Sequence, residues 1–397
     1  MTIALDSVKY NFICMMIYEM MYMIVFMMTI VAVLIRFVYI RIKYPFWAFM
    51  PVHHTYDYQY WFSKEGREIH KLPYRNKFID STHVDTINFS DITETKLKDF
   101  VELLQCFYIP DEAILYTIIE KDMKAMMHNH FAQPFVSFYG NKGCIASYPI
   151  RIFYHNVQDP VCANYITYIA TNDRTHTQNI SRNLISTHEF NCRRQNPSIN
   201  VSVLKKEIGS CDGVMPFLEF DTCVFQLDLV QQSGFRNLVQ ISRKNWDMIF
   251  DTIRDMYARF ELVISIDVEA IKSRIDANLL FLYAFCEKGH VFALYFIENS
   301  HILYEQTNHK TLRLLASVNA GLSNEMFQRG FIKSLCKVAK KNLDYKMIMM
   351  DNVGHNSHIM ENMKQVYEIR FETKGAYYYL NWLCVNKIER EHVILII

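Results

Sequence analysis

The sequence has almost no net charge: 42 Lys and Arg stand against 41 Asp and Glu over 397 residues, a formal +1. Without a basic field to draw phosphates, no nucleic acid is expected as a partner. Its ten cysteines (positions 14, 106, 144, 162, 192, 211, 223, 286, 336 and 384) include no Cys-x-x-Cys pair and no His/Cys cluster at zinc spacing. They read as reduced, mostly buried thiols of a cytosolic domain, and no metal site is expected from them. The histidine pairs fare no better. His128 and His130, two apart, do not share a helix face. His355 and His358 have helical spacing but no third ligand at hand. What is abundant is apolar surface: 51% of residues are hydrophobic and 14% aromatic, enough for one large core or two modest ones.

Charge is scarcest near the N-terminus. Phe12 to Ile35 is an apolar run of 24 residues in which Glu19 is the only charge. At roughly 1.5 Å per helical residue such a run covers a bilayer core of about 30 Å, so it is a transmembrane helix candidate. Arg36, Arg41 and Lys43 follow it, with an aromatic belt from Tyr44 to Trp47. That excess of positive charge places the large C-terminal part in the cytosol, as a single-pass membrane protein.

Periodicity then predicts an alternation of helices and strands. Leu97, Phe100, Val101, Leu104 and Phe107 recur at helical spacing over 93–107, behind a capping-box variant at Asp91 and Glu94. A second helix is expected over 120–130. Strands are expected over 135–139, 144–147 and 150–154, around a turn at 140–143, and a further strand over 164–171 precedes a helix over 179–190. The second half repeats this order with a helix (245–257), a hairpin (279–286 with 291–297), a strand (311–318), a helix (324–342) and a strand (347–350). The sequence closes on Tyr377 to Val385, an aromatic and β-branched run, a charged connector, and the β-former His392-Val-Ile-Leu-Ile-Ile397. Composition leaves two readings of that tail. It is a greasy strand whose carboxylate points at solvent, or a docked end that delivers its carboxylate to the interior, where burial makes it a better base.

Several stretches resemble the N-myristoyltransferase family. Tyr377, Tyr378, Asn381, Trp382 and Cys384 fall in the family's C-terminal pattern, and the 15 residues after Trp382 match its count without a gap. Tyr58-Gln59-Tyr60-Trp61 resembles the Tyr-Lys-Phe-Trp element that holds coenzyme A, with Gln59 in place of the Lys. Leu72-Pro73-Tyr74, Asp85 to Asp91 and Gly143 to Tyr154 are similar to further family segments. Thr167 to Ile185 aligns without a gap to the family's central strand, phosphate loop and helix. There the family's Arg-Ser-Lys-Arg is replaced by His176-Thr177-Gln178-Asn179, leaving Arg174 and Arg182 as the nearest fixed cations; Arg193-Arg194 either compensate for the lost charges or, on the preferred reading, form a solvated pair. The groove His and Asn are missing from Phe220 to Asp228. The family's Gly-Asp-Gly is replaced by Glu372-Thr-Lys-Gly375.

The resemblance implies an α/β mixed sheet of two pseudo-symmetric Gcn5-related N-acyltransferase-like units. An anchor would span 1–44, an acyl-CoA-binding half 45–230 and a peptide-binding half 231–397, with the membrane reached through residues 12–35. It implies transfer of myristoyl from coenzyme A, a co-substrate rather than a bound cofactor, to the N-terminal glycine amine of a protein or peptide. The Ile397 carboxylate would be the base and the Tyr168 and Ile169 amides the oxyanion donors. Tyr58, Gln59, Tyr60, Trp61, Thr177, Gln178, Asn179, Ile180 and Ser181 would bind the coenzyme. No metal is required. The eroded phosphate loop equally fits a catalytically degenerate, membrane-anchored binding or structural protein, and a third reading is an acyltransferase with another amine acceptor or a shorter acyl chain.

Overall fold

The structure, a computed structural model, describes residues 2–57, 66–109, 111, 113–155, 157, 159–172, 177–209, 211, 213–227, 237–341, 344–384 and 388–397, with the side chains of 2–14 and 177–179 excepted. Helix α1 (Thr2–Lys43) leads directly into α2 (Pro45–Phe49). From Met15 onward α1 is long and apolar enough to cross a membrane by length and composition, and its large side chains are exposed. Its last turn is seated on the body: Ile40 is buried against Gly213, and the Phe37 ring meets Tyr56 edge-on at 4.9 Å.

The first-half elements are β1 (Arg67–Glu68), β2 (Val84–Asn88), α3 (Glu94–Phe107), β3 (Ile114–Tyr116), α4 (Glu120–Met127), β4 (Phe135–Tyr139), β5 (Gly143–Tyr154), β6 (Val161–Thr171), α5 (Thr177–Gln195), β7 (Val201–Lys206) and β8 (Leu218–Gln226). Then come β9 (Leu238–Ile241), α6 (Phe250–Arg259), β10 (Leu262–Ser265), α7 (Val268–Asp276), β11 (Leu280–Glu287), β12 (His290–Tyr304), β13 (His309–Asn319), α8 (Asn324–Lys341), β14 (Tyr345–Asp351), α9 (Asn356–Val366), β15 (Ile369–Leu380), β16 (Trp382–Leu383) and β17 (Val393–Ile396). Apart from the β1–β16 pair, the strands form one mixed sheet, with the order β17-β10-β5-β6-β7-β15-β8-β14-β13-β12-β11-β9 along its main path.

Two strand–helix–strand crossovers organise that sheet: β6 and β7 pair in parallel around α5, and β13 and β14 do so around α8. Between them two strands change sides. β15, late in the chain, pairs with β7, whereas β8, from the first half, pairs with β14. This exchange laces the two sequence halves together through backbone hydrogen bonds, and the helices cover the sheet with three apolar clusters.

Local departures from the sequence reading have physical causes. The residues expected as two strands, 144–147 and 150–154, form one strand. Pro149 stands where the outer edge of β5 changes partner from β4 (through Ser147) to β10 (from Arg151), so it interrupts neither ladder there. The cap of α3 is Thr93, whose hydroxyl accepts from the Lys96 amide at 3.3 Å, and not Asp91, which ends a preceding 3-10 turn. The helix expected over 245–257 is a 3-10 segment (Arg243–Ile249) followed by α6.

Candidate active site

The sheet opens at the end of β6. Its parallel pairing with β7 covers Ala163 to Ile166 and stops there, while β7 continues to Lys206 against β15. On the other edge the β5–β6 register jumps from Ala146↔Thr167 to Cys144↔Ala170, so Tyr168 and Ile169 stand in a bulge outside the ladder. Tyr168 takes φ 55, the left-handed region, which costs a non-glycine residue about 1–3 kcal/mol and survives only where the surroundings enforce it. They do so here: the Tyr168 side chain is buried, with Phe100 edge-on at 6.4 Å and Tyr108 at 5.8 Å. The two residues that the sequence assigns to oxyanion binding are thus the two that leave the ladder, at the point where the sheet divides.

Helix α5 starts beyond the same end of β6, with its N-terminal dipole directed there. Ile180 and Ser181 are half-buried in its first turns, and the Ser181 hydroxyl lies 3.3 Å from that of Thr171. The side chains of Thr177, Gln178 and Asn179, as well as Arg174 and Tyr58, Gln59, Tyr60 and Trp61, lie outside the described residues. Further along α5 the sequence reading needs correction: Arg193 is not a solvated charge. It is 1% exposed, pairs with Glu189 at 3.2 Å and donates to the carbonyls of His70 and Leu72 at 2.9 and 3.2 Å. It fastens the 70–72 segment to α5, whereas Arg194 beside it is exposed.

Between this opening and the β13–β14 crossover lies a polar cluster that sequence reasoning did not assemble. Asp351 of β14 receives Lys205 of β7 at 3.0 Å, Arg313 of β13 at 3.2 Å and the Thr222 hydroxyl at 2.6 Å. Burial alone would raise the Asp351 carboxyl, but the Lys205 and Arg313 charges outweigh it and hold it down at about 2. Glu298 of β12 is driven the other way: burial raises it against the pull of Arg274, Arg313 and Lys205. Tyr116, Tyr165 and Tyr168 are pushed well above the ordinary tyrosine value, first by burial, so their hydroxyls remain neutral donors. The available signal was parity and spacing. Arg274 occupies the apolar face of α7 with Ala270, Ile271 and Ile275, where a cation is out of place.

The tail is placed as well. β17 runs parallel to β10, with Leu262↔Val393 through Ser265↔Ile396, and Ile397 is buried. His355 accepts a hydrogen bond from the Asn319 amide at 2.8 Å, and among the described residues no group of three or more His, Cys, Asp or Glu gathers as a metal site would.

Comparison with known proteins bears on the fold. A crystal structure of Saccharomyces cerevisiae N-myristoyltransferase with bound myristoyl-CoA superposes with a TM-score of 0.68 at 13% identity, over 89% of this chain and 93% of that one. A second gives 0.66 at 12% identity, over 89% and 99%. A third, with myristoyl-CoA and inhibitors, gives 0.67 at 12%, over 89% and 96%. No family model and no curated protein matches the sequence. The chain therefore has the N-myristoyltransferase fold at a sequence distance where only the fold is common ground.

Proposed function

We propose that this chain is an acyltransferase that moves a long acyl chain, myristoyl, from coenzyme A to the N-terminal glycine amine of a protein or peptide. The observation that carries this reading is the Tyr168–Ile169 bulge at the mouth of the β6–β7 opening. In the reaction the amine nitrogen attacks the thioester carbon, negative charge gathers on the carbonyl oxygen, the carbon–sulfur bond breaks, and the departing thiolate takes the proton that nitrogen loses. The Tyr168 and Ile169 amides would hold that oxygen, a role that needs backbone donors only. Before the attack, the carboxylate of Ile397 would act as the base that takes one proton from the glycine ammonium and frees the amine. The coenzyme would lie over the start of α5, at Thr177, Gln178, Asn179, Ile180 and Ser181, with Tyr58, Gln59, Tyr60 and Trp61 beside it. In this reading 45–230 and 231–397 descend from two copies of one acyltransferase unit, α1 anchors the chain in a membrane with the larger part in the cytosol, and the chemistry uses no metal.

The second reading, a catalytically degenerate binding protein, is favoured by Arg193. This arginine, beyond Arg174 and Arg182 a further cation able to compensate for the lost phosphate-loop charges, is committed to Glu189 and two carbonyls instead. Binding of myristoyl-CoA to the full chain in detergent micelles, followed by turnover with a glycine-start peptide, separates the two. The enzyme reading expects both. Binding without turnover supports the degenerate one, and no measurable affinity for the acyl-CoA sinks the enzyme reading.

A further inference from the structure

The guanidinium of Arg274 is 1% exposed, and among the described residues no acceptor takes a hydrogen bond from its Nε, Nη1 or Nη2. Glu298 Oε1 stands 3.7 Å from Nη1, close enough to attract and too far to bond. The Tyr148 ring lies 5.2 Å from Cζ, and its hydroxyl, drawn to the same charge, is a single neutral oxygen that leaves most of the guanidinium's donors unmatched. A lysine in such a place could shed its proton, but an arginine cannot. Nearby Lys205 and Arg313 are already spent on one oxygen of Asp351. Arg274 therefore keeps a planar fork of donors open in an interior closed to bulk water, and a carboxylate is the group whose two oxygens match that fork.

Its place in the sheet says which ligand would bring one. Tyr148, beneath the guanidinium, pairs with Tyr165 on β6, three residues before the bulge at Tyr168. At roughly 3.3 Å per residue, that is about 10 Å from the reacting centre. We infer that Arg274 is an acceptor-binding residue, and that the amine acylled at this site belongs to a molecule bearing a carboxylate within a residue or two of that amine. The inference rests on the acyl-transfer reading for the word acceptor, but the binding site stands on geometry alone. The carboxylate has two sources that span this distance, the terminal carboxylate of a dipeptide or an acidic side chain next to an N-terminal glycine.

Matched pairs of probes tell these apart: Gly-Gly against Gly-Gly-amide, and Gly-Asp-amide against Gly-Asn-amide, with affinity measured on the full chain in micelles saturated with myristoyl-CoA. In one pair the acid should bind about ten-fold to a hundred-fold tighter, the worth of a charge-assisted contact. The preference should vanish in Arg274→Met and partly return in Arg274→Lys. Equal affinity within both pairs overturns the inference, as does a preference that survives Arg274→Met. If that variant does not fold, Glu298→Gln replaces it: removing the competing carboxylate should widen the preference for the acid, and an unchanged ratio counts against the site. Acid-selective binding without acyl transfer would defeat the acyltransferase reading and leave the Arg274 site standing.

Discussion

The sheet divides twice, once after each parallel crossover, and the two openings are finished differently. After Ile166 the β6–β7 opening has no strand in it among the described residues, and it carries a left-handed tyrosine at its lip. After Leu314 the β13–β14 opening is occupied by the molecule itself. β17 packs against β13, the Gly354 amide donates to the Arg390 carbonyl at 2.7 Å, and Asn319 folds its side-chain carbonyl back onto the amides of Gly321 and Leu322 at 3.1 and 2.8 Å. β13 itself contains no positive-φ residue among those described. The same strand–helix–strand arrangement is thus finished in two ways: beside the second crossover a strand is buried, and beside the first a strained Tyr168 and an unladdered Ile169 stand at the lip.

That contrast can be pressed from either side. If the buried tail supplies the base to the β6–β7 opening, adding a single residue after Ile397 should cut turnover by about a hundred-fold to ten-thousand-fold, with the melting temperature unchanged. A tail that serves only as a strand would tolerate the addition. On the closed side, Gly354 has φ +58 and a Cβ there would meet the Val393 carbonyl oxygen at 2.5 Å. Gly354→Ala should therefore cost roughly 2–4 kcal/mol in chemical denaturation, through left-handed strain and a backbone clash. The polar cluster between the openings responds to pH. The Asp351 carboxyl is lowered from an ordinary 3.8 to about 2, so its contribution is complete above pH 4 and disappears as pH falls through 2. The loss should be about 2 kcal/mol in that window, and Asp351→Asn should flatten it. Glu298 carries the opposite sign. Its carboxyl is raised above 4.5, so its cost grows as pH rises past that value and Glu298→Gln should relieve it.

Local pattern made much of this architecture legible. The strand expected over 135–139 is β4 with the same bounds, a short run buried on both faces, and the helix expected over 324–342 is α8 to within one residue, with an unbroken buried helical face. The order of elements also foreshadowed the repeated crossover. The exchange of β8 and β15 was not legible, since nothing in either strand names a partner more than a hundred residues away. Arg193 misled for the same reason: the carbonyls that bury it belong to His70 and Leu72. Of the candidate site, alignment picked out Tyr168 and Ile169, but the bulge that sets them apart arises from a register jump against β5, and tyrosine carries no local preference for it. Lys205, Arg274, Glu298, Arg313 and Asp351 come from five separate elements, and only the closed sheet brings them together.

The proposal that acyl transfer takes place at the β6–β7 opening is tested most directly at Ile169, which the bulge already releases from the β5 ladder. Ile169→Pro removes one backbone donor at a position where no Cα partner is lost. In the folded fraction, single-turnover transfer from myristoyl-CoA to a glycine-start peptide should fall by about a hundred-fold to a thousand-fold with myristoyl-CoA affinity close to the parent's, while the melting temperature drops because proline disfavours the left-handed Tyr168 before it. Transfer at the parent rate by a correctly folded Ile169→Pro protein would contradict the account.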